Sequence, residues 1–203
     1  MFKKILIANR GEIACRIIKT AKKMKIKTAS IFSDSDRNAE HVSMADEAYY
    51  IGSSDVRDSY LDQNKLVKIC KEASVDAVHP GYGFLSENAN FADFLKNNNI
   101  VFIGPSSEAI SVMGDKIKSK VIANKAKVNI VPGFIGEINN LEQAIEISNN
   151  VGFPVMIKAS AGGGGKGMRI AYNKNEIEDN FKRASSEAKK SFGDGRVFIE
   201  KYI

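Results

Sequence analysis

The sequence predicts an α/β protein in which a Rossmann-like, doubly wound parallel sheet comes first and a smaller α+β region follows. Strand-like and helix-like segments alternate through the first half of the 203-residue chain, which is typical of parallel sheets with right-handed crossovers. Glycine-containing turns follow two of the strand-like segments. The pattern then changes near Met113, where a basic helix begins.

The first half contains short apolar strands separated by amphipathic helices. Residues 4–8 (KILIA) form a strand, residues 12–25 carry apolar side chains at helical spacing, and residues 28–32 return to a strand. Further strands are predicted at residues 75–78 and 100–103, with a helix at 88–96 between them.

Two turns follow strands of this sheet, at residues 9–12 and 79–83. Ligands of such sheets bind at the carboxyl ends of the strands, so both turns are candidates for a functional crevice. Neither has the GxGxxG pattern of a dinucleotide site. Asp34 and Asp36 are therefore interpreted as turn and cap residues.

The second half has a different layout. We predict a helix at 141–149 with Asn140 as its cap, strands at 154–159 and 168–172, and an amphipathic helix at 176–190. The last segment, 197–203, alternates with Phe198, Glu200 and Tyr202 on one face. The sequence ends within this strand, and we expect a longer native chain.

Composition excludes several classes of protein. The apolar runs are far shorter than the roughly 20 residues of a membrane span, and the first residues are strand-like, so we expect a cytoplasmic protein without membrane contact. Cys15 and Cys70 lie among apolar neighbours and are interpreted as reduced core residues. The net charge is +6, but no nucleic-acid-binding motif accompanies it. We therefore expect no nucleic-acid partner.

The stretch KASAGGGGKGMRI, residues 158–170, requires an explanation. Its four consecutive glycines cost about 2–4 kcal/mol of backbone entropy relative to alanine. A Walker P-loop does not fit, because GxxxxGK[ST] is absent. A hairpin without chemical meaning would need only two glycines. A glycine-rich flap that closes over a triphosphate, donating backbone N–H groups to phosphate, accounts for all four.

Charged residues near this loop support the phosphate interpretation. Lys158 directly precedes the loop and shares a strand face with Met156, so it can point into a cleft, although an exposed strand-end lysine remains the alternative. Lys116 is a second candidate for phosphate contact. Glu200 could accept the exocyclic amine of adenine while the backbone of residues 201–203 binds the ring edge. The other basic residues of the run 116–127 are interpreted as a solvated helix face: Lys118, Lys120, Lys125 and Lys127.

The motifs IANRGEIACRI, HPGYGFLSENA, FIGP, MGDK, PVMIKASAGGGGKGMRI and IEKYI occur in this order along the whole chain. Together they resemble the amino-terminal part of biotin carboxylase, an ATP-grasp enzyme. MADEA, VNIVPGF and KASAGGGGKGM are most similar to the propionyl-CoA carboxylase branch of that family. The resemblance implies a preATP-grasp domain at residues 1–113 and an incomplete ATP-grasp domain, a helical linker with an α+β lid, at 114–203.

The resemblance also implies a function, ATP-dependent carboxylation of biotin by bicarbonate, with Mg²⁺ as metal ion and biotin as carboxyl acceptor. Implied partners are a biotin carrier domain, a carboxyltransferase subunit or domain, and a second copy of the module. The family's catalytic residues and metal ligands fall beyond the end of this chain, so none is assigned here. The implied nucleotide-binding residues are Lys116, Lys158, Gly164, Gly165, Met168, Glu200, Lys201, Tyr202 and Ile203.

Because those catalytic groups are missing, we expect the 203-residue chain alone to be inactive and to bind ATP weakly. Two alternatives stay open from sequence. One is the same module in an acetyl-CoA, methylcrotonyl-CoA or pyruvate carboxylase. The other is a truncated, non-catalytic structural domain.

Overall fold

The computed structural model describes residues 1–161 and 167–203 of the chain. These residues form two compact units, Met1–Ser111 and Val112–Ile203. Our assignment of domains to residues 1–113 and 114–203 remains a prediction. No helix within the described ranges is both long and apolar enough to cross a membrane.

Eight α-helices and eight strands are found in the described residues. The helices are α1 Gly11–Lys23, α2 Glu40–Met44, α3 Gln63–Glu72, α4 Ala89–Asn97, α5 Ser107–Gly114, α6 Lys116–Lys125, α7 Leu141–Val151 and α8 Ile177–Phe192. The strands are β1 Lys4–Ile7, β2 Lys27–Ser33, β3 Glu47–Gly52, β4 Ala77–His79, β5 Val101–Phe102, β6 Val155–Ala159, β7 Met168–Ala171 and β8 Val197–Lys201.

The first unit is built on a five-stranded parallel sheet of order β3-β2-β1-β4-β5. This confirms the predicted doubly wound sheet, because the strand order reverses between β1 and β4. Successive residues of a strand face opposite sides, so the sheet needs two cores. Leu6 packs into one, with residues of α3 and α4, whereas Ile5 and Ile7 pack into the other with α1. Cys15 and Cys70 are buried free thiols, as predicted.

The second unit contains a three-stranded antiparallel sheet of order β7-β6-β8. One face carries Val155, Ile157, Val197 and Ile199, which form an apolar core with buried residues of α7 and α8. The predicted cap is confirmed, since the Asn140 side chain accepts a hydrogen bond from the Gln143 amide at 2.8 Å. The apolar core fixes which side chains of β6 and β8 lie on the opposite face.

Candidate functional site

A carboxylate held by two lysines lies on that opposite face of the antiparallel sheet. Lys158 of β6 pairs in register with Phe198 of β8, and Met156 pairs with Glu200, so these four side chains share one face. The Lys158 ammonium forms an ion pair with Glu200, which lies two residue pairs away along the ladder, on the same face. In the sequence, Lys158 lies two residues before Ser160, at the start of the glycine-rich stretch.

The second lysine of this cluster is Lys120, from α6. Its ammonium lies 2.6 Å from the other carboxylate oxygen of Glu200 and 5.0 Å from the centre of the Phe198 ring. The Lys120 side chain is 14% exposed, against 26% for Lys158 and 6% for Glu200. Our interpretation of Lys120 as part of a solvated helix face was therefore wrong, because a helical pattern does not show which lysine faces a buried carboxylate on another strand.

Electrostatics keep Glu200 ionised in this setting. Burial alone would raise its pKa, but the hydrogen bonds from Lys120 and Lys158 outweigh burial and hold the pKa below the usual value. Two ammonium groups against one carboxylate leave an excess positive charge beside the glycine-rich stretch. The arrangement is suited to an anion that carries several negative charges.

A second ionic network joins α6 to the same strands. Arg196 lies just before β8, and its guanidinium contacts Asp115 at 3.0 Å and Asp194 at 2.6 Å. Asp115 also caps α6, accepting from the amides of residues 117 and 118, and accepts from the Ser160 hydroxyl at 3.0 Å. Burial would raise the pKa of Asp115, yet the Lys118 amide, Arg196 and Ser160 together lower it.

This network fixes the first turn of α6 at the end of β6. The Lys116 amide donates to the Ser160 carbonyl at 3.2 Å, and the Ser160 amide donates to the Arg196 carbonyl at 2.9 Å. Arg196 is a site residue that the sequence patterns did not identify. An arginine two residues after Asp194 and just before a strand is the available signal, and it does not identify the distant partner Asp115.

The other predicted site residues that the structure describes lie in different surroundings. Met168 pairs with Lys158 in the β6–β7 ladder and is 40% exposed. The Lys201 ammonium donates to the carbonyls of Gly152 and Phe153 at 2.9 and 2.8 Å, after the end of α7. Ile203 is 90% exposed. Gly164 and Gly165 lie outside the described residues.

Two backbone amides at the end of β8 are engaged within the protein. The Lys201 amide donates to the Pro132 carbonyl at 2.7 Å, and the Tyr202 amide donates to the Pro154 carbonyl at 3.1 Å. These two donors therefore bind the protein's own backbone. A ligand at this edge must use other main-chain groups.

In the first unit, the two predicted turns meet where the strand order reverses. The Asn9 amide group, after β1, donates to the carbonyls of Pro80 and Tyr82, after β4, at 2.8 and 2.9 Å. His79 accepts from the Gly81 amide at 3.0 Å, and burial lowers its pKa. Hydrogen bonds between side chains and backbone therefore hold the loops at the carboxyl edge of the sheet in place.

Asp36, which we expected to be a turn and cap residue, also accepts hydrogen bonds from three other residues of the first unit. Its carboxylate accepts hydrogen bonds from Tyr60 at 2.7 Å, Ser33 at 2.9 Å and Arg10 at 3.2 Å. Burial would raise the pKa of Asp36, but these three donors lower it. Burial and the bond to Asp36 raise the pKa of Tyr60 to about 12, so the phenol stays protonated and acts as a donor.

We expect Tyr60→Phe to lower the unfolding free energy of the first unit by about 1–3 kcal/mol, because the buried Ser33 amide loses its acceptor and Asp36 loses a donor. Ring stacking on Phe84 is retained in this variant. Amide hydrogen exchange of β1 and β2 measures the change. Tyr82→Phe, at a side chain 78% exposed, is the control and should have almost no effect. Equal stabilities of the two variants would contradict a structural role for the Tyr60 hydroxyl.

Two family descriptions match the chain in succession. "Biotin carboxylase, N-terminal domain" matches residues 1–110, and "Carbamoyl-phosphate synthase L chain, ATP binding domain" matches residues 115–203. The chain belongs to the biotin carboxylase family. More narrowly, it is homologous to the biotin carboxylase part of propionyl-CoA carboxylase alpha chains.

Two of these alpha chains illustrate the similarity. That of Ruegeria pomeroyi is 56% identical over 203 residues, and the human mitochondrial one is 55% identical over 202 residues. Both alignments cover 100% of this chain, but the chain spans only 30% and 28% of the two proteins.

Solved structures agree with this assignment. The biotin carboxylase of Campylobacter jejuni, in a beta-gamma-ATP complex, matches with a TM-score of 0.96 and 43% identity. The biotin carboxylase domain dimer of Hydrogenobacter thermophilus 2-oxoglutarate carboxylase, with MgADP, ADP and bicarbonate, matches with a TM-score of 0.93 and 47% identity. Each match covers 100% of this chain and 46% or 45% of the other chain.

Proposed function

We propose that this chain forms the N-terminal part of a biotin carboxylase that uses ATP and bicarbonate to carboxylate biotin, within a propionyl-CoA carboxylase. In that reaction a bicarbonate oxygen attacks the terminal phosphorus of ATP and ADP leaves, which gives carboxyphosphate. Carboxyphosphate breaks down to carbon dioxide and inorganic phosphate, and the carbon dioxide adds to a ureido nitrogen of biotin as that nitrogen loses its proton. The observation that carries the proposal is the excess positive charge of Lys120 and Lys158 over Glu200, with Lys158 at the start of the glycine-rich stretch.

Different residues of the chain bind the phosphates and the adenine of the nucleotide. Lys116 and Lys158 contact the phosphates, and Gly164 and Gly165 belong to the flap that closes over them. Met168 and the segment from Glu200 to Ile203 hold the adenine. The amides of Lys201 and Tyr202 already donate to backbone carbonyls. The edge of the purine ring therefore binds the Ile203 amide and main-chain carbonyl groups. We assign no catalytic residue within this chain.

Magnesium is the metal ion that such phosphoryl chemistry uses to neutralise the triphosphate. Within residues 1–161 and 167–203, no group of three or more His, Cys, Asp or Glu side chains is placed to hold a metal ion. No step is assigned to the metal here. Bicarbonate, biotin on a carrier domain, a carboxyltransferase subunit and a second copy of the module are the proposed partners.

An antibody against this chain tests the function on the native protein. We expect it to remove from source-cell extract a polypeptide much larger than 22.2 kDa that also binds streptavidin. The depleted extract should lose ATP- and bicarbonate-dependent carboxylation of propionyl-CoA, and the immunoprecipitate should contain it. Extract treated with non-immune antibody is the control. A 22.2 kDa band without biotin, or depletion that leaves the activity in the extract, would refute the proposal.

A further inference from the structure

The lysines that share Glu200 differ in how firmly the protein holds them. The ammonium of Lys120 contacts the Glu200 carboxylate at 2.6 Å, lies 5.0 Å from the centre of the Phe198 ring and approaches the Val131 carbonyl at 3.5 Å. Its side chain is 14% exposed. A cation with a carboxylate, a ring face and a carbonyl around it loses three interactions if it leaves.

Lys158 is held less firmly. In the described part of the chain, its ammonium forms an ion pair with Glu200. The side chain is 26% exposed, and its strand leads directly into the glycine-rich stretch. An anion that arrives from solvent at this stretch therefore meets Lys158 more readily than Lys120.

We propose that Lys120 is the permanent counter-ion of Glu200 and that Lys158 is the exchangeable one, which moves from Glu200 to a ligand phosphate. The inference rests on the proposed nucleotide-binding function and deepens it by assigning a positioning role to Lys120. If Lys120 were absent, a one-to-one pair of Lys158 and Glu200 would have no excess charge. Binding of a phosphate to Lys158 would then take the last countercharge away from the nearly buried Glu200 carboxylate, which is costly.

The charge balance distinguishes this role from simple support of the fold. With Lys120 in place, transfer of Lys158 to a phosphate leaves Glu200 neutralised at 2.6 Å by Lys120. Lys120 therefore affects binding of the phosphates, through Lys158, more strongly than binding of the adenine, for which Glu200 is one of several contacts. A merely structural lysine would change the affinity for both parts equally.

The full-length wild-type protein that contains this chain, with ¹³C and ¹⁵N labels on lysine, provides the first test. Inorganic tripolyphosphate is titrated while the side-chain signals of Lys120 and Lys158 are followed by NMR. We expect the Lys158 signals to move with saturation and the Lys120 signals to stay within a small fraction of that change. Movement of both lysines together, of Lys120 alone, or of neither would overturn the inference. This measurement needs no variant and so does not depend on whether a variant folds.

Variants of the full-length protein that contains this chain provide the second test, with ATP and adenosine as ligands. We expect Lys120→Met to weaken ATP binding at least tenfold and adenosine binding less than twofold, and Lys120→Arg to restore ATP affinity to within about threefold. Lys118→Met, an exposed lysine of the same helix, is the matched control and should bind both ligands as the wild type does. Wild-type ATP affinity in Lys120→Met, or equal losses for ATP and adenosine, would overturn the inference.

The two proposals fail in different ways. If tripolyphosphate moves only Lys158 but ATP binds no better than tripolyphosphate, the exchange at Lys158 is supported and the nucleotide function is refuted. If ATP binds better than tripolyphosphate and Lys120→Met binds it as tightly as the wild type, the nucleotide function is supported and the role of Lys120 is refuted.

Discussion

Glu200→Gln is expected to destabilise the second unit by about 2–4 kcal/mol, because it leaves two largely buried ammonium groups without a countercharge. The figure lies below that of a fully enclosed pair, since Lys158 is one-quarter exposed and can turn to water. Amide hydrogen exchange of β6 and β8 measures the loss within this unit. Exchange in β1 and β2 reports on the first unit and should be unchanged.

The same substitution should change the response to acid. Glu200 has a folded-state pKa below its ordinary value of 4.5, so its contribution to stability is complete above that value. It is lost as the pH falls through the lower, folded-state pKa. The second unit of Glu200→Gln should therefore lose less stability than the wild type between pH 5 and strongly acidic conditions, roughly the interval over which a depressed carboxyl titrates. Equal acid profiles would contradict an ionised Glu200 in the cluster.

Sequence periodicity was sufficient for most of the fold. The apolar spacing in residues 12–25 and 176–190 predicted α1 and α8, whose actual bounds are Gly11–Lys23 and Ile177–Phe192. Local hydrogen bonding accounts for the correct cap at Asn140, since the donor lies only three residues away. Strand β3, Glu47–Gly52, was missed because it lies at the sheet edge and exposes alternate residues, so its sequence is not continuously apolar.

The candidate site was only partly predictable, for a physical reason. Lys158 and Glu200 could be selected because each lies on a strand whose period places it on a defined face. The partner of Glu200 on α6, Lys120, is 80 residues away in sequence, and the Arg196–Asp115 contact spans 81 residues. Pairings at such separations depend on how a helix and a sheet pack together, which a local pattern of charges does not specify.

Gly133 provides a test of how closely a neighbouring segment holds β8. The Phe134 amide donates to the Ile199 carbonyl at 3.0 Å, and the Lys201 amide donates to the Pro132 carbonyl at 2.7 Å. A Cβ atom at Gly133 would lie 2.6 Å from the Glu200 Cα and 2.6 Å from the Ile199 oxygen. Both are backbone atoms of a strand already paired with β6, so neither can move aside cheaply.

We therefore expect Gly133→Ala to lower the unfolding free energy of the second unit by about 2–4 kcal/mol, through overpacking and the weakening of the two flanking hydrogen bonds. The Glu200 carboxylate moves with its backbone, so the signals of Lys120 and Lys158 should also shift in an NMR spectrum. Gly114→Ala is the matched control, because among the described residues no atom beyond its chain neighbours and its own helix backbone lies within 4 Å of a Cβ there. If Gly133→Ala matched the Gly114→Ala control in both stability and lysine signals, the segment before Phe134 would not pack on β8, and Glu200 would be positioned by its two lysines without help from that segment.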